Sequence, residues 1–146
     1  MKLYPGKEIR KWYLDKLTGI ELDGLTIPVY NLARIKNKPP YILLVNQTAS
    51  SSDTKTTYND NVSILVQCVT AFTGDFGGDE FADRMADEVT KRITADRPNY
   101  GNTDNFKIVT CQIASNDTLR QQNPSETYIT RQIDFQHFVS QITNLS

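Results

Sequence analysis

Acidic residues at helical spacing are the first candidates for chemistry in this chain. Asp79, Asp83 and Asp87 recur every four residues, so their carboxylates share one face of a helix, an arrangement that can hold a divalent cation. Asp75 and Glu80 lie nearby, but the D-x-D-x-D-G order of a calcium loop is missing. Like charges four residues apart repel each other, and the cost of roughly a few tenths of a kcal/mol per pair is tolerated on an exposed helix. We therefore predict a helix surface that faces solvent or a partner, and no metal site.

The other reactive side chains do not form a catalytic motif. His137 is the only histidine, and the chain has no G-x-S-x-G elbow or comparable nucleophile motif beside which it could act as a base. Cys68 and Cys111 lie in strand-like runs without CxxC spacing, which predicts reduced core thiols. Arg120 and Arg131 are interpreted as isolated cations, since no basic cluster surrounds them. The sequence predicts no catalytic residue, no metal and no cofactor.

Length and charge narrow the classes of function. At 146 residues the chain is expected to form a single domain over residues 1–146. A net charge of −1 disfavours specific nucleic-acid binding, because no overall positive field attracts phosphates. No apolar run has the roughly 18 residues of a membrane span, and the N-terminus lacks the apolar centre of a signal peptide. We expect synthesis in the cytoplasm and no membrane partner.

The elements that must position these groups are organised around residues 61–94. A period-two pattern predicts a central strand over 61–73, and glycines 74, 77 and 78 then predict a sharp corner. A helix is predicted over 78–94, with acids in its first turn and Lys91 and Arg92 in its last, as the helix dipole favours. Its apolar stripe consists of Phe81, Ala82, Met85, Ala86, Val89 and Ile93.

An amphipathic helix of about residues 7–18 is predicted before this unit. Trp12 and Tyr13 on it either bind a partner or pack the helix on the sheet, and we favour packing. The Asp23-Gly24 pair between short apolar runs predicts a hairpin, and Pro28 restricts the following strand to an edge or to its first residues. The run over 41–45 predicts a short buried strand.

Polar segments separate the remaining strands. Residues 46–60 form a polar arm, which is a long projecting hairpin, a mobile loop or a set of ordinary connections. A strand over 106–114 is predicted to place Val109, Cys111 and Ile113 on one face, and residues 115–125 are predicted to be a loop. A one-sided C-terminal strand over 126–139 follows. This order predicts an α+β fold with an antiparallel or mixed β-sheet of about 4–6 strands and two helices on one face.

The middle and end of the chain resemble the tail terminator, or tail completion, proteins of bacteriophages. Members have a short Tyr/Pro-led strand, a polar arm, a long strand ending near a glycine, a helix of the GxxEAxxLAxxVxxxL kind and a closing strand. The matching segments are YILLVNQ (41–47), NVSILVQCVTAFTG (61–74), FGGDEFADRMADEVTKRI (76–93) and ETYITRQIDFQHFV (126–139). In this chain the positions of that helix motif are occupied by Gly78, Glu80, Phe81, Met85, Ala86, Val89 and Ile93.

The resemblance implies a structural virion protein, located in the tail or neck after assembly in the host cytoplasm. It would form a homo-oligomeric ring, of six subunits, that ends the tail tube and joins it to the head–tail connector or stopper protein. DNA would pass through the ring without being bound specifically. The alternatives are another neck or connector ring protein, a non-viral monomeric adaptor that binds protein, and a small metal-dependent enzyme.

Loop composition and strand alternation suggest which residues contact neighbouring subunits. A polar arm and the polar outer face of a strand are surfaces through which ring subunits can meet. The candidate interface residues are Ser51, Asp53, Lys55 and Tyr58 in the polar arm and Arg131 and Asp134 on the C-terminal strand.

Overall fold

A computed structural model describes residues 1–31, 38–72, 79–122 and 124–143 of the chain, and of Asn46 it describes the backbone only. The glycine corner predicted at residues 74, 77 and 78 lies outside these ranges. The helices are α1 (Gly6–Leu17) and α2 (Asp79–Thr94). The strands are β1 (Ile20–Leu22), β2 (Leu25–Ile27), β3 (Val29–Tyr30), β4 (Tyr41–Ser51), β5 (Asn59–Phe72), β6 (Phe106–Gln122) and β7 (Thr127–Gln141).

The strands form one large sheet and a separate hairpin. The large sheet has five strands in the order β3-β4-β5-β7-β6, and β1 pairs with β2 alone. β3 runs parallel to β4, whereas the β4–β5, β5–β7 and β7–β6 pairs are antiparallel. The fold is therefore α+β with a mixed sheet, which confirms the predicted fold class.

Both helices cover the same face of the sheet. The odd-numbered residues of β7 face them, so Ile133, Phe135 and Val139 are fully buried beneath the helices. The Tyr13 ring of α1 packs 5.8 Å, centroid to centroid, from the Phe135 ring. Burying aromatic and aliphatic side chains is the main source of stability in such a layer. The main residues that the helices add to this core are Ile9, Tyr13, Leu17, Met85, Val89 and Ile93.

The β1–β2 hairpin has a tight turn, and the chain between α1 and this hairpin is bonded to α2. Asp23 and Gly24 both have positive φ, as a two-residue turn of type I′ requires, so the predicted hairpin is confirmed. Gly19, also at positive φ, follows the end of α1. Arg92 of α2 donates hydrogen bonds to the carbonyls of Lys16 and Thr18 at that end, where a cation is favourable.

Strand β6 is much longer than the sequence predicts. Residues 115–125 were expected to form a loop, but β6 continues to Gln122 and pairs with β7 over that length. A strand at the edge of a sheet that is exposed on both faces has no apolar alternation, so its composition resembles that of a loop. A register shift between Ile108 and Thr110 takes Val109 out of the predicted apolar face. Cys111 and Ile113 stay together on the helix-covered side, opposite His137 and Phe135, where Cys111 is buried and Ile113 is 42% exposed.

Candidate functional site

The polar arm forms the end of a long hairpin. β4 ends at Ser51 and β5 begins at Asn59, with antiparallel pairing up to the Ser51–Asp60 pair. Of the three alternatives for residues 46–60, the structure therefore shows the hairpin. We call residues 51–60 the β4–β5 tip. The tip also has internal hydrogen bonds, because Asp53 accepts from the backbone N–H of Asn59 at 2.8 Å and Thr57 N–H donates to the Thr54 hydroxyl at 3.0 Å.

Residues 1–5, which we call the N-terminal strap, hold the tip against the body of the domain. Lys2 Nζ lies 2.8 Å from Asp53 Oδ1 and 3.5 Å from Asp60 Oδ1, and also contacts the Ser51 hydroxyl. Gln141 at the end of β7 accepts a hydrogen bond from Leu3 N–H at 2.8 Å through its side-chain oxygen. The strap therefore links the β4–β5 tip to the last strand.

The three charged groups of this contact have shifted pKa values. The hydrogen bond to Asp53 raises the pKa of Lys2. Burial acts in the opposite direction, and the Asp60 charge raises this pKa further. Hydrogen bonds from Lys2 and from the Asn59 backbone lower the pKa of Asp53. Burial raises the pKa of Asp60, and the nearby Lys2 charge only partly offsets it. The cation thus favours charged carboxylates at the tip.

Removing the Lys2 amine should loosen the β4–β5 tip without unfolding the domain. In Lys2→Ala, backbone amides of residues 52–58 are expected to exchange with deuterium about two- to fivefold faster, the range for losing an exposed ion pair. The matched control is Lys16→Ala, which removes a similarly exposed lysine paired with Asp96. Equal exchange at the tip in both variants would contradict a holding role for the strap.

The candidate contacts at the tip fall into two groups. Ser51 and Asp53 are already bonded to Lys2 within the chain. Lys55 and Tyr58 have exposed side chains, and the Tyr58 carbonyl accepts a hydrogen bond from Gln141 N–H at 2.8 Å. In this conformation, Lys55 and Tyr58 are the two members of the set that offer free side chains to a partner.

Arg131 and Asp134 lie on opposite faces of β7. Arg131 faces the helices, donating to Asp83 of α2 at 2.9 Å and to Asn116 of β6 at 3.1 Å, and its Nε is buried with no partner among the described residues. Asp134 lies on the face that no helix covers. The two candidate contacts on the last strand therefore belong to different surfaces of the sheet.

The interpretation of Arg120 and Arg131 as isolated cations is wrong. Arg120 donates to Asp79 at 2.7 Å, as Arg131 does to Asp83, so two acids of the predicted stripe on α2 are paired with the β6–β7 hairpin. The sequence could not reveal these pairs because their partners are 41 and 48 residues apart. The acidic stripe is therefore partly an internal contact.

The uncovered face of the sheet carries a broad polar groove. It has a volume of about 450 Å³ and crosses strands β4, β5, β7 and β6. On its floor the Thr48 and Ser63 hydroxyls are hydrogen bonded to each other. Its lining residues are uncharged, and two of them, Val62 and His137, have side chains buried on the helix-covered side. The lining consists of Thr48, Ser50, Asn61, Val62, Ser63, Thr110, Gln112, Gln136, His137 and Phe138. Such a surface is better suited to contact with a large partner than to catalysis.

His137 is bound into the core. Its Nδ1 lies 3.1 Å from the Thr110 carbonyl, which assigns the proton to Nδ1, so Nε2 accepts from the Tyr13 hydroxyl. Burial lowers the pKa of His137 to about 4, against the opposite effect of the Thr110 carbonyl. Burial also raises the pKa of Tyr13 well above its usual value, which keeps the hydroxyl as a donor. This arrangement fixes α1 on the sheet.

Other chemistry is equally limited in the described ranges. No three histidine, cysteine or acidic side chains within them are grouped so that they could hold a metal ion. Cys68 and Cys111 are buried free thiols, and burial raises the pKa of Cys68 to about 12 and that of Cys111 to about 11, so neither is a reactive thiolate. Among the helices of the described part of the chain, none is long and apolar enough to cross a membrane.

Comparison with known proteins gives a similarity to solved structures. No protein-family profile matches the chain, and no curated protein matches it. Among solved structures, the chain is similar to a chain in the virion of a native gene transfer agent particle, with 17% sequence identity and a TM-score of 0.57. The similarity covers 77% of this chain and 78% of that one, and at this identity it shows a shared fold.

Proposed function

We propose that this chain is a structural virion protein of a phage-type particle and that it acts as a ring-forming tail terminator. The carrying observation is the fold that it shares, over 77% of its length, with a chain of a gene transfer agent virion. In this role it would cap the tail tube and join it to the head–tail connector or stopper protein. It would have no catalytic function and no cofactor.

The surfaces of the domain support a role in assembly. The polar groove, the β4–β5 tip and the outer part of β6 are exposed, whereas the reactive side chains Cys68, Cys111 and His137 are buried. A ring of six copies would place such surfaces against neighbouring subunits and adjoining rings. Ser51, Asp53, Lys55, Tyr58 and Asp134 stay in the proposed interface, with Arg131 supporting it from the helix side.

Two experiments on the phage-type particle that encodes this chain test the proposal. An epitope on Lys91, an exposed residue of α2 outside the proposed interface, should be labelled by antibody at the head-proximal end of the tail in electron micrographs. Deletion of the gene should yield tails of uncontrolled length that lack heads, and expression from a plasmid should restore normal particles. The same epitope on Lys11, an exposed residue of α1, controls for effects of the label.

The outcomes separate this role from its alternatives. If the tagged chain is found at the connector, but deletion of the gene leaves tails of normal length, the chain is another neck protein. Unlabelled particles together with a monomeric chain would indicate an adaptor outside the virion. A catalytic activity that requires Ca²⁺, Mg²⁺ or Mn²⁺ would contradict the structural role altogether.

A further inference from the structure

The outer half of β6 is a free edge. β6 is the last strand of the sheet, and on its outer side the described residues provide only an isolated bridge from Asn102 to Lys107, at its beginning. From Gln112 to Gln122 every side chain is exposed. The backbone N–H and C=O groups that point away from β7 over this length therefore have no strand to pair with in the described chain.

This edge has few of the features that normally prevent pairing, and Asp117 and Arg120 are the charged side chains within residues 115–122. Natural edge strands are protected by lysine, proline or bulges. Residues 115–122 contain neither lysine nor proline, and from Ser115 onward the register with β7 runs without a shift. Ile113 and Leu119 are 42% and 45% exposed, on opposite faces of the strand. An edge with these properties is suited to receive another strand.

The opposite edge of the sheet is also open for part of its length. β3 pairs only with Ile42 and Leu43 of β4, so residues 45–51 have no strand on their outer side within the described ranges. Val45 there is 41% exposed, and the segment contains no charged residue. Its seven residues compare with eight in the unshifted part of β6, and the register with β5 shifts between Leu44 and Gln47, so the regular part of this edge begins at Gln47.

Strand directions make the two edges compatible. β4, β5, β7 and β6 are four consecutive antiparallel strands, so β4 and β6 run in opposite directions. When a second copy is placed beside the first by rotation about an axis along the strands, its β4 meets β6 of the first copy in antiparallel orientation. Repetition of this step uses both edges of every copy and leaves none free once the ring closes.

We propose that residues 115–122 of β6 in one copy pair antiparallel with residues 45–51 of β4 in the next copy, joining the sheets of neighbouring subunits. This inference rests on the proposed ring. The occupant of the edge is a second copy of this chain, because the same sheet supplies a partner edge of similar length, opposite direction and no opposing charge. Asp117 and Arg120 on β6 would face uncharged residues of β4.

Lysine substitutions on the edge test the pairing without touching the core. The double variant Leu119→Lys and Gln121→Lys changes two exposed residues within 115–122. It is expected to keep the melting temperature of the wild type but to reduce the yield of assembled rings at least tenfold, both in particles and with purified protein. The matched double variant Leu25→Lys and Thr26→Lys, at two exposed residues of β2, adds the same two charges away from either edge and should assemble normally. Normal rings from the folded double variant of β6 would overturn the inference while leaving the ring role intact.

Cysteine cross-linking tests which edges meet. Ser50→Cys on β4 is combined in turn with Ser115→Cys, Asp117→Cys or Gln121→Cys, which lie on the same uncovered face, and the native thiols are buried. Oxidation of purified particles should give a ladder of linked subunits for at least one pair. Ser63→Cys on the inner strand β5 replaces Ser50→Cys in the control and should give none. Dimers from a β6 single variant alone, or no cross-link from any pair in particles that contain the chain, would overturn the inference.

A failure of the proposed function gives a different result from a failure of this inference. If antibody labelling finds no copy of the chain in the particle, the tail role is wrong. If the chain is in the particle but the cross-links are absent, only the pairing of β6 with β4 is wrong.

Discussion

Lowering the pH from 7 to 4 is expected to reduce the free energy of unfolding by roughly 3 kcal/mol, with His137 as the cause. The pKa of its buried imidazole is about 4 in the folded protein, below the ordinary value of 6.5. Between these two values the unfolded chain binds a proton that the folded chain does not. Stability is therefore complete above pH 6.5 and is lost as the pH falls toward 4.

Urea unfolding at half-unit steps between pH 7 and pH 5 measures this effect. In that window Glu8 and Asp53, whose pKa values are lowered, are mostly charged in both states. Burial raises the pKa of Asp60, which acts in the opposite direction as the pH falls, so the effect of His137 is the difference in slope between the wild type and a variant without the imidazole. The slope should approach roughly 1.4 kcal/mol per pH unit below pH 6. His137→Asn, which keeps a donor and an acceptor but does not titrate, should flatten it. A flat profile in the wild type would show that the imidazole is not held neutral.

Replacing Tyr13 should have the largest effect of any single substitution on α1. The side chain is completely buried, packs on Phe135 and donates its hydroxyl to His137. Tyr13→Ala is expected to cost about 3–5 kcal/mol, the range for removing a buried aromatic ring. Tyr13→Phe keeps the ring but leaves the His137 acceptor buried and unpaired, for a loss of about 1–3 kcal/mol. Chemical denaturation of the three proteins gives both numbers.

Tyr4→Ala is the matched control, since Tyr4 is 65% exposed and its loss should change stability by less than about 0.5 kcal/mol. Equal stability of Tyr13→Phe and the wild type would mean that the hydroxyl bond contributes nothing. A small loss in Tyr13→Ala would instead favour the other interpretation of this helix, in which its aromatic residues are available to bind a partner.

Local patterns predicted much of the helix-covered layer. α2 spans Asp79–Thr94 and β5 spans Asn59–Phe72, close to the ranges 78–94 and 61–73, although residues 73 and 78 lie outside the described parts. α1 spans Gly6–Leu17 where about 7–18 was expected, and β7 ends at Gln141 instead of residue 139. These elements each bury one apolar face, and that burial produces a periodic sequence.

The surfaces could not be predicted in the same way, because pairing between distant segments determines them. The outer half of β6 is a strand only because β7 supplies its hydrogen bonds. Arg131 pairs with Asp83 of α2, 48 residues away in the chain. The role of Lys2 depends on Asp53, 51 residues away. Such contacts leave no periodic signal in one sequence.

The side chain of Gln141 brings distant parts of the chain to one point. Its amide nitrogen donates to the carbonyls of Met1 and Thr143, at 2.7 and 2.5 Å, while its backbone N–H binds Tyr58 at the β4–β5 tip. A fluorophore attached at residue 1 or at residue 143 would therefore sit beside the tip. Either label would serve as an optical reporter of partner docking there, and an affinity tag at the same positions would risk blocking that docking.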